Sequence, residues 1–220
     1  MRTALFGGTF NPVHIAHLRV AEEVREGFDL DRVFFIPAAN PPHKQDSEIA
    51  PASDRYEMLM RATSGNPAFE VSDLEIKRAG RSYTIDTVRQ FAGLLPGGSK
   101  CWLVMGMHAF AEIDTRKSYH EIFDRIGVIV LSRPSDAGGG ESLTAGIAEV
   151  LSGRVSEAYR FDRENARFVH PEKNCVCPFF ATSLGISASM IRQKAAEGKS
   201  LRYLVSADVE KYIHEKGLYL

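Results

Sequence analysis

The chain has 220 residues, 44% hydrophobic and 25% charged, with 18 Gly and 10 Pro. That is the usage of one compact globular domain rather than of a disordered, collagen-like or coiled-coil chain. Lys and Arg number 27 against 28 Asp and Glu, a formal net charge of −1, so no basic field draws in nucleic acid or an anionic membrane. No apolar run reaches the roughly 18 residues of a membrane span, and Met1 to Gly8 is too short for a signal segment, so a cytoplasmic location is expected.

In chain order, Arg2 to Phe6 is an apolar strand stopped by Gly7-Gly8, and a helical pattern follows from Ile15 to Glu26 with Gly27 as its stop. Val33 to Pro37 is a second buried strand. Asp54 to Ala62 forms a helix with Asp54 and Glu57 placed as a capping box, and Phe69 to Ser72 a third strand. Downstream come a helix at Thr84 to Phe91, a strand at Trp102 to Met105, a helix at Tyr119 to Phe123 and a β-branched strand at Val128 to Leu131. Residues 135–175 are weakly patterned and read as an elaboration rather than a second domain. Order returns with a strand at Val176 to Ala181, a helix at Ala188 to Glu197, and a last helix capped by Ser206 and stopped by Gly217. Alternation of strand and helix predicts an α/β fold, a Rossmann-like doubly wound parallel sheet with helices on both faces. The whole of 1–220 is expected to form a single domain, with 186–220 a C-terminal helical segment.

Three cysteines, Cys101, Cys175 and Cys177, are an odd set containing Cys-Val-Cys-Pro, which does not read as a disulfide framework; reduced thiols are expected. His170 precedes Cys175 by five residues, but zinc thiolate spacing and a fourth ligand are missing, so no metal site is assigned.

Ligands of an open parallel sheet sit beyond the carboxyl ends of its strands. The loop there runs Gly7-Gly8-Thr9-Phe10-Asn11-Pro12-Val13-His14-Ile15-Ala16-His17. Its glycines let backbone amides approach a phosphate, and the following helix offers free N–H groups and the positive end of its dipole. His14 and His17, three apart, face the same cradle. Near the C-terminus, Gly185-Ile186-Ser187-Ala188-Ser189-Met190-Ile191-Arg192 opens another helix, where Ser187 can cap and Arg192 can meet phosphate.

These two strings resemble the paired signatures of the nucleotidyltransferase superfamily, Gly-Gly-Thr-Phe-Asp/Asn-Pro-x-His-x-x-His and Ile-Ser-x-(Ser/Thr)-x-x-Arg. Ile36 to Lys44, Gly80 to Thr87 and the ending from Arg202 to Tyr219 look like the bacterial nicotinate-nucleotide adenylyltransferases, and the match spans nearly the full length. The resemblance implies transfer of AMP from ATP to nicotinate mononucleotide with release of pyrophosphate, giving deamido-NAD, with Mg²⁺ accompanying ATP as the cofactor. A preference for the amidated mononucleotide, dual specificity, or a catalytically weakened nucleotide-binding regulator is the alternative.

The residues expected to serve catalysis are His14, His17, Lys44 and Arg192. For ATP they are Gly7, Gly8, Thr9, Phe10, His14, His17, Gly106, His108, Ile186, Ser187 and Arg192, and for the mononucleotide Asn40, Lys44, Tyr83, Thr84, Arg116 and Lys117. Thr84 is also a candidate helix cap. The family pattern is broken twice: Gly106-Met107-His108 stands where Gly-x-Asp is usual, and Arg116 where a stacking Trp is common. A planar guanidinium can stack on a ring while attracting a carboxylate. A homodimer is a candidate assembly on which the sequence is silent.

Overall fold

The computed structural model describes residues 1–41, 49–78, 80–132 and 140–220, and its chain divides into two compact units. Unit one comprises Met1–Phe6 and Tyr83–Ser183; unit two comprises Gly7–Ser82 and Leu184–Leu220.

Unit one holds most of a largely parallel sheet. Strand β1 (Arg2–Gly8) pairs in parallel with β4 (Lys100–Gly106), β4 with β5 (Gly127–Leu131), and β5 with β8 (Val176–Phe179). The registers Phe6 to Val104, Val104 to Ile129 and Ile129 to Cys177 run through the middle of these strands. Every residue of β5 is buried, as expected of a central strand with both faces covered. Flanking helices are α4 (Thr84–Leu94), α5 (Met107–Ala111), α6 (Tyr119–Arg125) and α7 (Gly140–Val150), α4 packing on α6 and α5 on α7.

The weakly patterned 135–175 stretch contains more than loop. Its described part carries α7, a π-helical turn at Leu151–Val155, and an antiparallel hairpin of β6 (Arg160–Asp162) and β7 (Arg167–Val169) that pairs onto β8. The sheet is therefore mixed at this end. The hairpin escapes a periodicity search because each strand has three residues with one buried position at most.

Unit two contains α1 (Ile15–Gly27), β2 (Arg32–Pro37), α2 (Ala52–Thr63), β3 (Phe69–Val71), α3 (Leu74–Lys77), α8 (Ala188–Ala196) and α9 (Ala207–Lys216). β2 and β3 pair in parallel from Val33 with Phe69 to Phe35 with Val71. α2 packs on β2, β3 and α9. Gly217 ends α9 in the left-handed conformation expected of a helix-stopping glycine, φ 59°.

Three expected caps are absent. α2 starts at Ala52 with Pro51 as N-cap, so Asp54 and Glu57 lie inside the helix, where Asp54 accepts from the Tyr212 hydroxyl at 2.7 Å and Glu57 pairs with Arg61. Tyr83 rather than Thr84 is the N-cap of α4. Ser206 occupies the N-cap of α9 without a side-chain capping bond. In each case the side chain has a tertiary partner or a buried setting that its sequence neighbours do not reveal.

Candidate functional site

In unit two, the loop leaving β1 folds back on itself. Phe10 takes a left-handed backbone, φ 48°, and lays its ring over Gly8, where an added Cβ would come within 2.9 Å of it. The ring also meets His17 edge-on at 5.1 Å and Phe35 at 5.9 Å. Gly8 is thus held to glycine by Phe10, whereas the space beside Gly7 is open, so the backbone at Gly7 can be approached closely.

His14 and His17 stack with ring centroids 3.6 Å apart and planes at 25°. His14 sits at the N-cap of α1, only 6% exposed, and its backbone N–H donates to Nδ1 of His17 at 3.3 Å. Nδ1 of His14 is buried with no hydrogen-bond partner among the described residues. Burial pushes His14 down to about 4. Burial first, then the neighbouring His14, holds His17 well below the ordinary imidazole range. Both rings are therefore neutral at pH 7, donors of N–H rather than cations. The helix end is less open than expected too. The N–H of Ile15 donates to the Leu204 carbonyl and that of His17 to the His14 carbonyl, each at 2.9 Å.

Asn11, 2% exposed, organises what surrounds the pair. Its Oδ1 accepts from the Ala50 N–H at 3.0 Å and the Tyr219 hydroxyl at 2.8 Å, while its backbone carbonyl accepts from Nη1 of Arg192 at 3.0 Å. Arg192 projects from α8, whose N-cap Ser187 accepts from the Met190 N–H at 3.2 Å, the cap expected there. Ile186 is half-buried just before it. A groove of about 580 Å³ beside Arg192 is lined by Ser189, Gln193, Tyr219 and Leu220.

Arg55 is the residue that inspection of motifs misses. It is 1% exposed and has no carboxylate partner among the hydrogen bonds described; Nε donates to the Ala50 carbonyl at 2.9 Å, Nη1 to Thr9 at 2.8 Å and Nη2 to Ala39 at 3.2 Å. One buried guanidinium thereby fixes the loop after β1 to the segments after β2 and before α2. Its sequence signal is a charge on an apolar stripe, since Arg55, Met58 and Leu59 share the buried face of α2. Asn40 donates through Nδ2 to the Gly80 carbonyl at 3.1 Å, and the Ala39 and Asn40 N–H groups both donate to Ser82 Oγ. Lys44 lies outside the described residues.

In unit one, Arg116 lies against Thr84 and Lys117 against Tyr83. Arg116 is half-buried and donates through Nη1 to Thr84 Oγ1 at 3.2 Å, while its Nε is buried without a partner among the described residues. Burial lowers its pKa. Lys117 lies 4.9 Å from the centroid of the Tyr83 ring and pairs with Asp86 at 2.9 Å. Gly106 caps α5, and His108 on that helix is exposed, 3.8 Å from Glu112.

A cytidylyltransferase-like family model matches residues 5–194. The chain is 39% identical over 219 residues to a nicotinate-nucleotide adenylyltransferase named from Geobacter metallireducens, covering 100% of this chain and 98% of the relative. It is 41% identical over 220 residues to another from a Geobacter species, covering 100% and 99%. Among solved structures, a nicotinic acid mononucleotide adenylyltransferase of Plasmodium falciparum complexed with NaAD superposes with a TM-score of 0.72 at 14% identity, covering 99% of this chain and 97% of that one. That similarity establishes the α/β fold, a mostly parallel sheet with flanking helices.

Proposed function

Because the chain belongs to the nicotinate-nucleotide adenylyltransferase family, we propose that it transfers AMP from ATP to nicotinate mononucleotide, releasing pyrophosphate. The observation that carries this reading is the stacked, buried His14 and His17 on a loop whose carbonyl at Asn11 holds Arg192. No nucleophilic side chain is needed. The mononucleotide phosphate oxygen bonds to the α-phosphorus as the bond to the bridging oxygen of the leaving pyrophosphate breaks in line, and the protein positions the reactants and offsets charge.

Two unit charges about 4 Å apart interact with roughly 4 kcal/mol at an effective dielectric of 20, so bringing two phosphorylated nucleotides together is opposed by several such terms. Arg192 and Lys44 supply full positive charge, and His14 and His17 donate N–H groups to triphosphate oxygens that gather further negative charge as pyrophosphate departs. Thr9, Phe10, Gly7 and Gly8 shape the loop, and Ile186 and Ser187 start the helix that presents Arg192. Within this reading Gly106 and His108 are assigned to ATP, and Asn40, Tyr83, Thr84, Arg116 and Lys117 to the mononucleotide.

ATP enters as its Mg²⁺ complex. Imidazole and guanidinium are poor partners for this hard, oxygen-seeking ion, and among the described residues no cluster of three His, Cys, Asp or Glu could hold it. Phosphate oxygens are thus its natural ligands. The family match over residues 5–194 runs through both units, which supports the reading of one nucleotidyltransferase domain; 135–175 as an elaboration and 186–220 as a C-terminal helical segment are part of the same proposal. Among the described residues no helix is long and apolar enough to cross a membrane; a cytoplasmic location is part of the proposal.

The test is pyrophosphate release with ATP, Mg²⁺ and either nicotinate or nicotinamide mononucleotide. Faster turnover with nicotinate that is lost in His17→Ala is expected; ATP binding without turnover on either substrate would replace this reading with a nucleotide-binding regulator.

A further inference from the structure

At the beginnings of β4 and β5, the ends opposite Gly106 and Leu131, unit one contains a second pocket of about 460 Å³. Its walls include Lys100, Arg125 and Arg167 together with Cys101, Trp102 and Cys175. Cations thus line a cavity into which a thiol opens. Along β4 it is about 17 Å from Cys101 to Gly106 at roughly 3.3 Å per residue, so this pocket is separate from the strand ends where the nucleotide residues of this unit stand.

Cys175 is not an ordinary strand cysteine. Cys177, two residues on and facing the same way, donates its thiol to Cys175 Sγ at 3.9 Å. Trp102 also hydrogen-bonds to the Cys175 thiol, and Arg167 contributes favourable charge. The indole reaches this position by lying across Gly127, where any Cβ would fall 2.6 Å from its ring. Two donors and a cation therefore converge on one sulfur, half-buried at a pocket wall.

Titratable and charged groups face this sulfur from each neighbouring element. On β8, Cys177 is a thiol whose own pKa is raised by Cys175 and by burial. On β7, Arg167 lies 3.7 Å from Asp162. Before β6, Tyr159 donates its hydroxyl to the Asn174 carbonyl and is pushed up by burial and then by Cys175. At the end of α6, Arg125 pairs with Glu121 and Asp124 with Lys173. On β4, burial pushes Cys101 up to about 12. For Cys175, donation from Cys177 outweighs burial and brings it down to about 6. Of three thiols, one is arranged to be thiolate at neutral pH.

We propose that Cys175 is a thiol-modification site that forms mixed disulfides with anionic low-molecular-weight disulfides admitted to the cationic pocket. Its thiolate bonds to one sulfur of the incoming disulfide as the S–S bond breaks. The other sulfur departs as a thiolate that takes a proton from water. Cys175 is oxidised, the departing half is reduced, and Cys177 retains its proton.

The experiment is titration of the native chain with 5,5′-dithiobis(2-nitrobenzoate), a dianionic disulfide, followed by peptide mapping of the adduct. One fast equivalent on Cys175 is expected. Its rate should fall only about two-fold between pH 8 and 6, against a roughly 75-fold fall for a thiol of pKa about 8.5. Cys175→Ser should abolish the fast phase, Cys177→Ala should retain it with its pH midpoint raised, and Arg167→Gln should slow the dianionic probe more than neutral 2,2′-dithiodipyridine. The proposal is overturned by an adduct on Cys101 or Cys177, by the pH profile of an ordinary thiol, by a fast phase that survives Cys175→Ser, or by two equivalents released with no adduct retained, which would mean that Cys177 closes onto Cys175.

Discussion

The imidazoles of His14 and His17 lie face to face at 3.6 Å, so two positive charges cannot share that position without an anion beside them. The free pair is neutral, His14 having moved from 6.5 down to about 4. Between those values the unfolded chain binds more protons than the folded one, so stability is complete above pH 6.5 and is lost as pH falls toward 4. The loss attributable to His14 is at most about 3 kcal/mol, the shift multiplied by about 1.36 kcal/mol per unit. Urea unfolding at pH 7 and pH 5 checks it: His14→Gln should show a smaller loss than the parent, and equal losses would refute the assignment. Triphosphate binding should in turn draw protons onto the pair, seen calorimetrically as net proton uptake below about pH 6.5.

Arg55 has three carbonyl partners on three segments. Arg55→Lys keeps the charge but cannot span them, and a destabilisation of about 3 kcal/mol is expected, with a raised KM for ATP as the Thr9 loop loosens. Denaturant midpoints and initial rates measure both. An unchanged midpoint would mean that the carbonyls find other donors.

Arg116 presents a buried Nε with no described partner beside Thr84. If that group receives the nicotinate carboxylate, Arg116→Trp should lower the kcat/KM ratio of nicotinate over nicotinamide mononucleotide by about tenfold, the value of roughly 1.4 kcal/mol for one charge-assisted contact. The ratio is the readout, since simple loss of folding would lower both rates together. A constant ratio would assign the arginine to packing.

Tyr219 and Ala50 share the Oδ1 acceptor of Asn11. Tyr219→Phe removes one of these donors and should cost about 1 kcal/mol, whereas Asn11→Ala strands both and should cost about 2 to 3 kcal/mol. The double variant should lose less than the sum, because both changes break the same bond. Full additivity in thermal unfolding would show that the two residues act independently.

The regular framework was readable because local chemistry decided it. Apolar runs mark β1, β4 and β5, Ser187 caps α8 through its own hydroxyl, and Gly217 ends α9 at positive φ. The spacing of His14 and His17 placed them on one face, but their stacking and neutrality follow from enclosure, to which Phe10 and the chain around them contribute. Arg55 was hidden because its partners are carbonyls, which every residue carries, at positions 9, 39 and 50. Asp54 had the local pattern of a cap, yet its partner Tyr212 is 158 residues away. The β6–β7 hairpin was hidden because three-residue strands are too short to display alternation.

Trp102 is the chain's single tryptophan, and the gap left by Gly127 lets its indole rest against Cys175. Red-edge-excited emission from this protein therefore originates from one ring at the head of one strand. Thiolates quench indole fluorescence by electron transfer, so the molecule carries an intrinsic optical gauge of the ionisation of a neighbouring sulfur.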